Sequence, residues 1–334
     1  MSSTSRHAAA GRVIIITGAS SGIGRCTAQL FARNGWRVGL IARGEAGLRS
    51  IADEIGPAAA MQVADVTDAA GLEQAAVALE LALGPVAVWV NCAGNGVFGR
   101  FMDVPEAEFR RVTDVTYLGT ANGTRVALRR MLARNTGTVV NICSAIAFHG
   151  LPFLSSYSGA KHAVRGFTDS VRYELEQQGS AVGLTTIYPP AVNTPFFSAA
   201  VTYMPKPPRP ARPVYQPEVV ADAVLLAATQ RRREIQVSGI TAVFALSCRL
   251  VPPLIRQAIR RLGPEGQMTD NPEAARRYHP TLSEPALAAG GTHGPFGDES
   301  RGRSLQMWAS WRRARLLAGG LVIAGGAVLL VLWR

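Results

Sequence analysis

From residue 12 onward the chain alternates between short apolar runs and longer stretches in which apolar residues recur every three or four positions. The runs 12–17, 36–42, 60–64, 86–91, 137–143, 182–188 and 235–238 read as strands. An unbroken aliphatic run such as Val13-Ile14-Ile15-Ile16 is what a strand covered on both faces requires. The stretches 23–34, 45–55, 69–83, 106–133, 156–178 and 217–229 have helical spacing. Strands joined by helices of crossover length predict an α/β fold: a doubly wound, parallel, seven-stranded sheet of Rossmann type. It forms a single domain over 12–241.

Five segments depart from this rhythm. Residues 1–11 are small and polar and read as a disordered lead, not a signal peptide, because the first apolar run is too short for an h-region. The segment 196–215 places Pro205, Pro207, Pro208, Pro210 and Pro213 among Phe196, Phe197, Tyr203, Met204 and Tyr215. A long proline-stiffened loop of this kind reads as a substrate lid. Residues 242–262 interleave apolar side chains with Arg249, Arg256, Arg260 and Arg261, and Pro252-Pro253 must break any single helix there. A membrane-lying basic amphipathic hairpin, a dimer surface and a sheet cover all fit this pattern. Residues 263–304 are poor in aliphatics and read as a flexible linker. In 305–334, the eighteen uncharged residues from Leu316 to Trp333 would cover about 27 Å as a helix, close to a hydrocarbon core. Trp308, Trp311 and Trp333 flank that span, and Arg312, Arg313 and Arg315 precede it. The expectation is a single-pass C-terminal membrane anchor with the catalytic domain on the cytoplasmic side.

Composition narrows the chemistry. The four cysteines are far apart and lack metal-ligand spacing, so they read as reduced cytoplasmic thiols, with no metal site. The formal net charge is +12, but the bases form no recognisable nucleic-acid module, which argues against a nucleic-acid partner. Basic residues gather instead beside apolar sequence at 231–261 and 301–315, a pattern that suits an anionic membrane surface. Only two of the 35 basic residues are lysine, Lys161 and Lys206. Retention of a compact, tunable ammonium at 161 invites a chemical reason.

The first strand runs into Thr17-Gly18-Ala19-Ser20-Ser21-Gly22-Ile23-Gly24. Glycines at 18, 22 and 24 allow a sharp turn and a close approach of pyrophosphate to the backbone, and the next helix presents free N–H groups at its positive end. Tyr157 and Lys161 stand four residues apart and share one face of a helix. A cation there favours tyrosinate and would lower a phenol pKa that is otherwise near 10.

The spacing Gly-x-x-x-Gly-x-Gly, with Tyr157-x-x-x-Lys161, resembles the short-chain dehydrogenase/reductase (SDR) family over about 12–240. The other motifs fall in the family's order: Asp65-Val66, Asn91-Cys92-Ala93-Gly94, Ser144, and Pro189-Pro190-Ala191-Val192-Asn193-Thr194. The resemblance implies a nicotinamide dinucleotide held by Gly18, Ser20, Ser21, Gly22, Ile23, Gly24, Asp65, Val66, Asn91, Ala93, Gly94, Pro189, Val192 and Thr194, with Tyr157 and Lys161. It implies Tyr157 as acid/base, Lys161 as the group that lowers its pKa and holds the nicotinamide ribose, and Ser144 as the donor to the substrate oxygen. Thr116 stands where the family usually carries a relay Asn, and Pro190 replaces the glycine of a Pro-Gly turn. The second strand ends in Leu40-Ile41-Ala42-Arg43, without the carboxylate that would bind a ribose 2′-OH, so Arg43 points to NADP(H) rather than NAD(H). Phe148, Leu151, Phe153 and Leu154 are expected to line an apolar substrate pocket. The family is commonly a homo-dimer or homo-tetramer. The function expected is therefore an NADP(H)-dependent oxidoreductase interconverting a carbonyl and a secondary alcohol on an apolar, lipid-like substrate at a membrane. The alternative is a non-catalytic NADP(H)-binding scaffold or sensor there.

Overall fold

The computed structural model describes residues 11–262, 265–285 and 290–313. Its central sheet has seven strands: β1 (Val13–Thr17), β2 (Arg37–Ala42), β3 (Ala59–Val63), β4 (Val86–Asn91), β5 (Thr138–Ile142), β6 (Gly183–Tyr188) and β7 (Glu234–Gln236). They are all parallel, as the alternating pattern predicts, and lie in the order β7-β6-β5-β4-β1-β2-β3. Successive side chains of β1 serve opposite faces. Ile14 and Ile16 pack with Phe31, Leu40 and Val224, whereas Val13 and Ile15 pack with Leu72, Leu79 and Trp89. Each such fully buried aliphatic side chain stabilises the fold by about 1.5–3 kcal/mol.

The crossovers are α1 (Gly22–Arg33), α2 (Glu45–Ile55), α3 (Ala69–Leu83), α4 (Glu106–Thr113), α5 (Gly119–Arg134), α6 (Ser155–Gln177) and α7 (Pro217–Thr229). Local chemistry sets their ends. Asp68 caps α3 by accepting from the Ala70 and Gly71 amides, and Pro217 opens α7 where no amide donor is needed. Asn135 takes the left-handed conformation after α5. The helix expected over 106–133 is interrupted by a π-helical turn at Asp114–Leu118. Such turns concentrate at functional sites.

From β1 the chain winds outward to β2 and β3, then returns to place β4 on the other side of β1. The carboxyl ends of β1 and β4 are therefore the switch point at which such sheets open a cleft. Beyond β7, α8 (Gly239–Leu250) and α9 (Pro252–Leu262) meet at the Pro252-Pro253 break. The 196–215 segment carries a short helix, Phe196–Ala199, and a strand, Val201–Thr202, that pairs with Val97–Phe98.

The expectation of a flexible linker over 263–304 is corrected in its described parts. Ser300–Arg301 pairs with Val214–Tyr215, which pairs in turn with Ala191–Val192. Leu282 and Phe296 are 5% and 1% exposed. The Thr202 amide donates to the Tyr278 hydroxyl at 3.0 Å, and Glu299 pairs with Arg209 and Arg212. The segment has few apolar residues, but those two are buried and its backbone groups find partners, so composition alone misleads. The span expected at 316–333 and residues 1–10 of the lead lie outside the described residues. Among the described residues no helix is long and apolar enough to cross a membrane.

Candidate active site

Ser144 follows β5 and caps the 3-10 turn Ala145–Ala147, its Oγ accepting from the Ile146 amide at 3.3 Å. Tyr157 and Lys161 lie in the first turns of α6, on one face. The Lys161 ammonium donates to the Ile142 carbonyl at 2.8 Å and stands 5.6 Å from the centre of the Tyr157 ring. All three side chains border one cavity of about 770 Å³.

Burial opposes the lowering of the phenol pKa expected from Lys161. Burial pushes the Tyr157 phenol well above its ordinary value, the Cys143 thiol adds to this, and a contact from Ser144 pulls the other way. Burial also holds Lys161 below its ordinary value. Burial likewise raises the Cys92 and Cys143 thiols, to about 12 and about 11, so neither is a thiolate.

The glycine-rich turn is shaped by close approach. Gly18 has φ +71°, and a Cβ there would meet the Ala93 backbone at 2.8 Å. A Cβ on Gly24 would overlap the Gly18 carbonyl oxygen. The loop thus folds tightly over the ends of β1 and β4 and opens onto the first turn of α1, whose amides have no intrahelical partner. Gly18, Ser20, Ser21, Gly22 and Ile23 border the cavity, as do Asp65, Val66, Ala93, Gly94, Pro189, Val192 and Thr194. This cradle, with helix-end donors that lack intrahelical partners, fits a dinucleotide pyrophosphate.

At its far end Arg43 and Arg111 stand close together. Arg111 pairs with Asp65 at 2.5 Å. Burial raises the Asp65 carboxyl, but the Arg111 and Thr67 hydrogen bonds outweigh it and hold the net value below the usual range. Burial, then Arg111, pulls the Arg43 guanidinium below its ordinary value. Two crowded cations favour an added anion.

Three residues expected to bind cofactor or act in catalysis do not reach the cavity. Gly24 lies behind the turn, where it serves packing alone. The Asn91 side chain is buried in a structural network, accepting from the Trp89 indole at 2.8 Å and donating to Asn141 at 2.8 Å and Thr124 at 3.1 Å. Thr116 is fully buried on the π-helical turn, its hydroxyl 3.3–3.4 Å from the Asn95 backbone carbonyl and amide. Sequence reasoning passed over Asn95, which borders the cavity with both amide atoms buried and without partners. Its position directly after the Asn-Cys-Ala-Gly run was the one available signal.

The substrate half of the cavity is apolar. Ile146, Leu151, Leu154, Phe98, Phe196 and Phe197 line it, and the Phe196 ring lies 5.3 Å from that of Tyr157. Phe148 and Phe153 do not; Phe148 packs against Tyr188 with ring centres 4.6 Å apart. Ile240 and Phe244 of α8 and Ile259 of α9 complete the wall.

Comparison with known proteins gives a concordant result. The family model described as short chain dehydrogenase matches residues 12–203. The chain is 33% identical over 270 residues to the uncharacterized oxidoreductase YxnA of Bacillus subtilis, covering 79% of this chain and 76% of that one. It is 31% identical over 196 residues to the 3-dehydrosphinganine reductase of Danio rerio, covering 56% and 58% of the two chains. Two solved structures are similar. One is a short chain dehydrogenase/reductase from Burkholderia phymatum in complex with NAD (TM-score 0.65, 25% identity, 75% of this chain and 96% of that one). The other is an actinorhodin polyketide ketoreductase variant with NADPH (TM-score 0.59, 28% identity, 68% and 96%). With its sheet order, glycine cradle and Ser144-Tyr157-Lys161 cluster, the chain belongs to the short-chain dehydrogenase/reductase family of oxidoreductases.

Proposed function

We propose that the protein is an NADP(H)-dependent reductase of an apolar, lipid-like ketone, working at a membrane surface. The observation that carries this reading is the placing of Ser144, Tyr157 and Lys161 on one cavity that Phe98, Ile146, Leu151, Leu154, Phe196 and Phe197 also line. When bound, a reduced nicotinamide supplies the hydride. Ser144 donates to the carbonyl oxygen and orients it. Tyr157 gives that oxygen its proton as charge develops. Lys161, fixed by the Ile142 carbonyl, holds positive charge behind the phenol.

Crowding of Arg43 and Arg111 at the end of β2 supports a 2′-phosphate ligand and so NADP(H). The zebrafish relative's name, a 3-dehydrosphinganine reductase, supports a long-chain substrate. For the membrane, the support is the face of α8 and α9. Val243, Leu246, Leu250 and Leu254 are 58–69% exposed, and Arg249, Arg256, Arg260 and Arg261 are exposed beside them. Ile240, Phe244 and Ile259 of the same helices border the cavity, so a lipid would pass from bilayer to active site along apolar side chains. The apolar stretch 316–333 supports a single-pass anchor with the domain in the cytoplasm. Assembly as a homo-dimer or homo-tetramer is part of the same reading.

The test is NADPH oxidation by the full chain in phospholipid vesicles, across ketones graded in chain length. Turnover rising with chain length and exceeding that with NADH is expected. Equal turnover of short water-soluble ketones would remove the lipid reading.

A further inference from the structure

The wall of the substrate half of the cavity holds a polar side chain that hydride and proton transfer do not use. Gln267 ends the 3-10 turn Glu265–Gln267 beyond α9. It borders the cavity and is 6% exposed. Its amide nitrogen donates to the Pro152 carbonyl at 3.0 Å. Its amide oxygen is buried and has no hydrogen-bond donor among the described residues. Pro152 lies between Leu151 and Leu154, which line the cavity and pack with Phe98, Ile146 and Tyr157. Gln267 therefore stands at the apolar wall that the body of a ketone substrate would meet.

We infer that Gln267 is a specificity-determining residue: its amide oxygen accepts a hydrogen bond from a hydroxyl or amine that the substrate carries apart from the reacting carbonyl. The inference rests on the reductase reading and narrows its substrate to a lipid-like ketone bearing such a donor.

The amide has one sensible orientation. Only its nitrogen can serve the Pro152 carbonyl, so its oxygen is the atom left over. The backbone around it is tied on both sides to the 196–215 segment. The Arg209 amide donates to the Gln267 carbonyl at 2.9 Å, the Thr269 amide donates to the Pro207 carbonyl at 3.0 Å, and Met268 bridges to Pro208. A buried acceptor without a donor is costly, and native proteins leave few of them. A tie to Pro152 alone would call for a donor and no acceptor. A ligand that brings the missing donor accounts for both halves of the amide. The last torsion of glutamine is soft, and its two N–H groups let Pro152 keep a partner, so a small turn presents the oxygen to the cavity. Among aliphatic and aromatic walls, one such group fixes how a flexible chain lies. It also disfavours an analogue without the donor, which would leave the acceptor unpaired.

The test measures kcat/KM with NADPH for the full chain in detergent micelles, on long-chain ketones of one length. One series carries a hydroxyl stepped along the chain, and a second carries an amine. The controls are the unsubstituted ketone and the methyl ethers of the first series, which donate nothing. At one position the wild type should favour the donor-bearing ketone over its controls by roughly ten- to hundredfold, the worth of a bond to a buried acceptor. In Gln267→Leu and in Gln267→Met that ratio should fall to near one. General damage to the fold would lower all the ketones alike and leave the ratio standing, so the ratio reads the acceptor itself. A wild-type ratio near one for both donors at every position would overturn the role of Gln267 and leave the reductase standing. So would a ratio that persists in the variants, or loss of all turnover in both, which would make Gln267 a structural tie. No turnover of any ketone by the wild type would overturn the reductase reading, and this inference with it.

Discussion

On the proposed reading Tyr157 is the proton donor of this site, and its surroundings fix the sign of its pH response. A pKa raised by burial keeps the protonated, competent form below that pKa and removes it above. We therefore expect kcat for carbonyl reduction to be flat through neutrality and to fall only in the alkaline range. A fall centred near neutrality would assign the proton to another group. Tyr157→Phe should lower kcat by roughly 10²- to 10⁴-fold while NADPH still binds by fluorescence titration. Arg43 sets a second expectation. Arg43→Glu removes a donor and adds repulsion, and a bond to a charged group is worth about 1.5–3 kcal/mol. The ratio of NADPH to NADH affinity should drop by roughly 10- to 100-fold, and an unchanged ratio would move the 2′-phosphate elsewhere. The Tyr157 and Lys161 positions were readable because a helix turns four residues into one face. The direction of the phenol's shift was not, because burial is a property of the assembled walls. Asn91 and Thr116 misled for the same reason: their partners, Asn141 and the Asn95 backbone, lie 50 and 21 residues away.

Strands and crossover helices were legible because each carries its own period, two for the faces of β1 and near 3.6 for α1 to α7. What the period leaves out is the occupant of the opposite face. The residues 242–262 were readable as amphipathic with three roles open, since all three require the same stripe. The structure adds that Phe244 and Ile259 border the cavity, Ile240 borders it at its exposed rim, and Leu246 and Leu250 turn outward. That division argues for a surface that feeds the pocket. With Leu246→Asp and Leu250→Asp together, in a chain ending at residue 313, we expect loss of sedimentation with vesicles containing phosphatidylserine, with NADPH affinity preserved. Vesicle binding that survives both changes would reassign the face to contact between subunits.

At the scale of the whole molecule, the described part of the C-terminal region completes the domain. Leu282, Phe296 and Met307 are each 5% exposed or less, and the Trp311 indole donates to Asp222 of α7 at 2.9 Å. Three buried side chains at about 1.5–3 kcal/mol each together rival the net stability of a domain, about 5–15 kcal/mol. The region from 265 to 313 is thus a structural component, even though its composition reads as linker. A chain cut after residue 313 should keep a cooperative thermal transition within a few degrees of the full protein, bind NADPH, and leave the membrane fraction without detergent. A chain cut after residue 262 should lose that transition or melt far lower, because Met307 would leave apolar surface on β6, β7 and α7 and Phe296 would leave Phe197 uncovered. Matching melting temperatures for the two truncations would mean that the tail adds nothing to the core. Retention of the 313-residue chain in the membrane fraction would mean that α8 and α9 hold it there unaided.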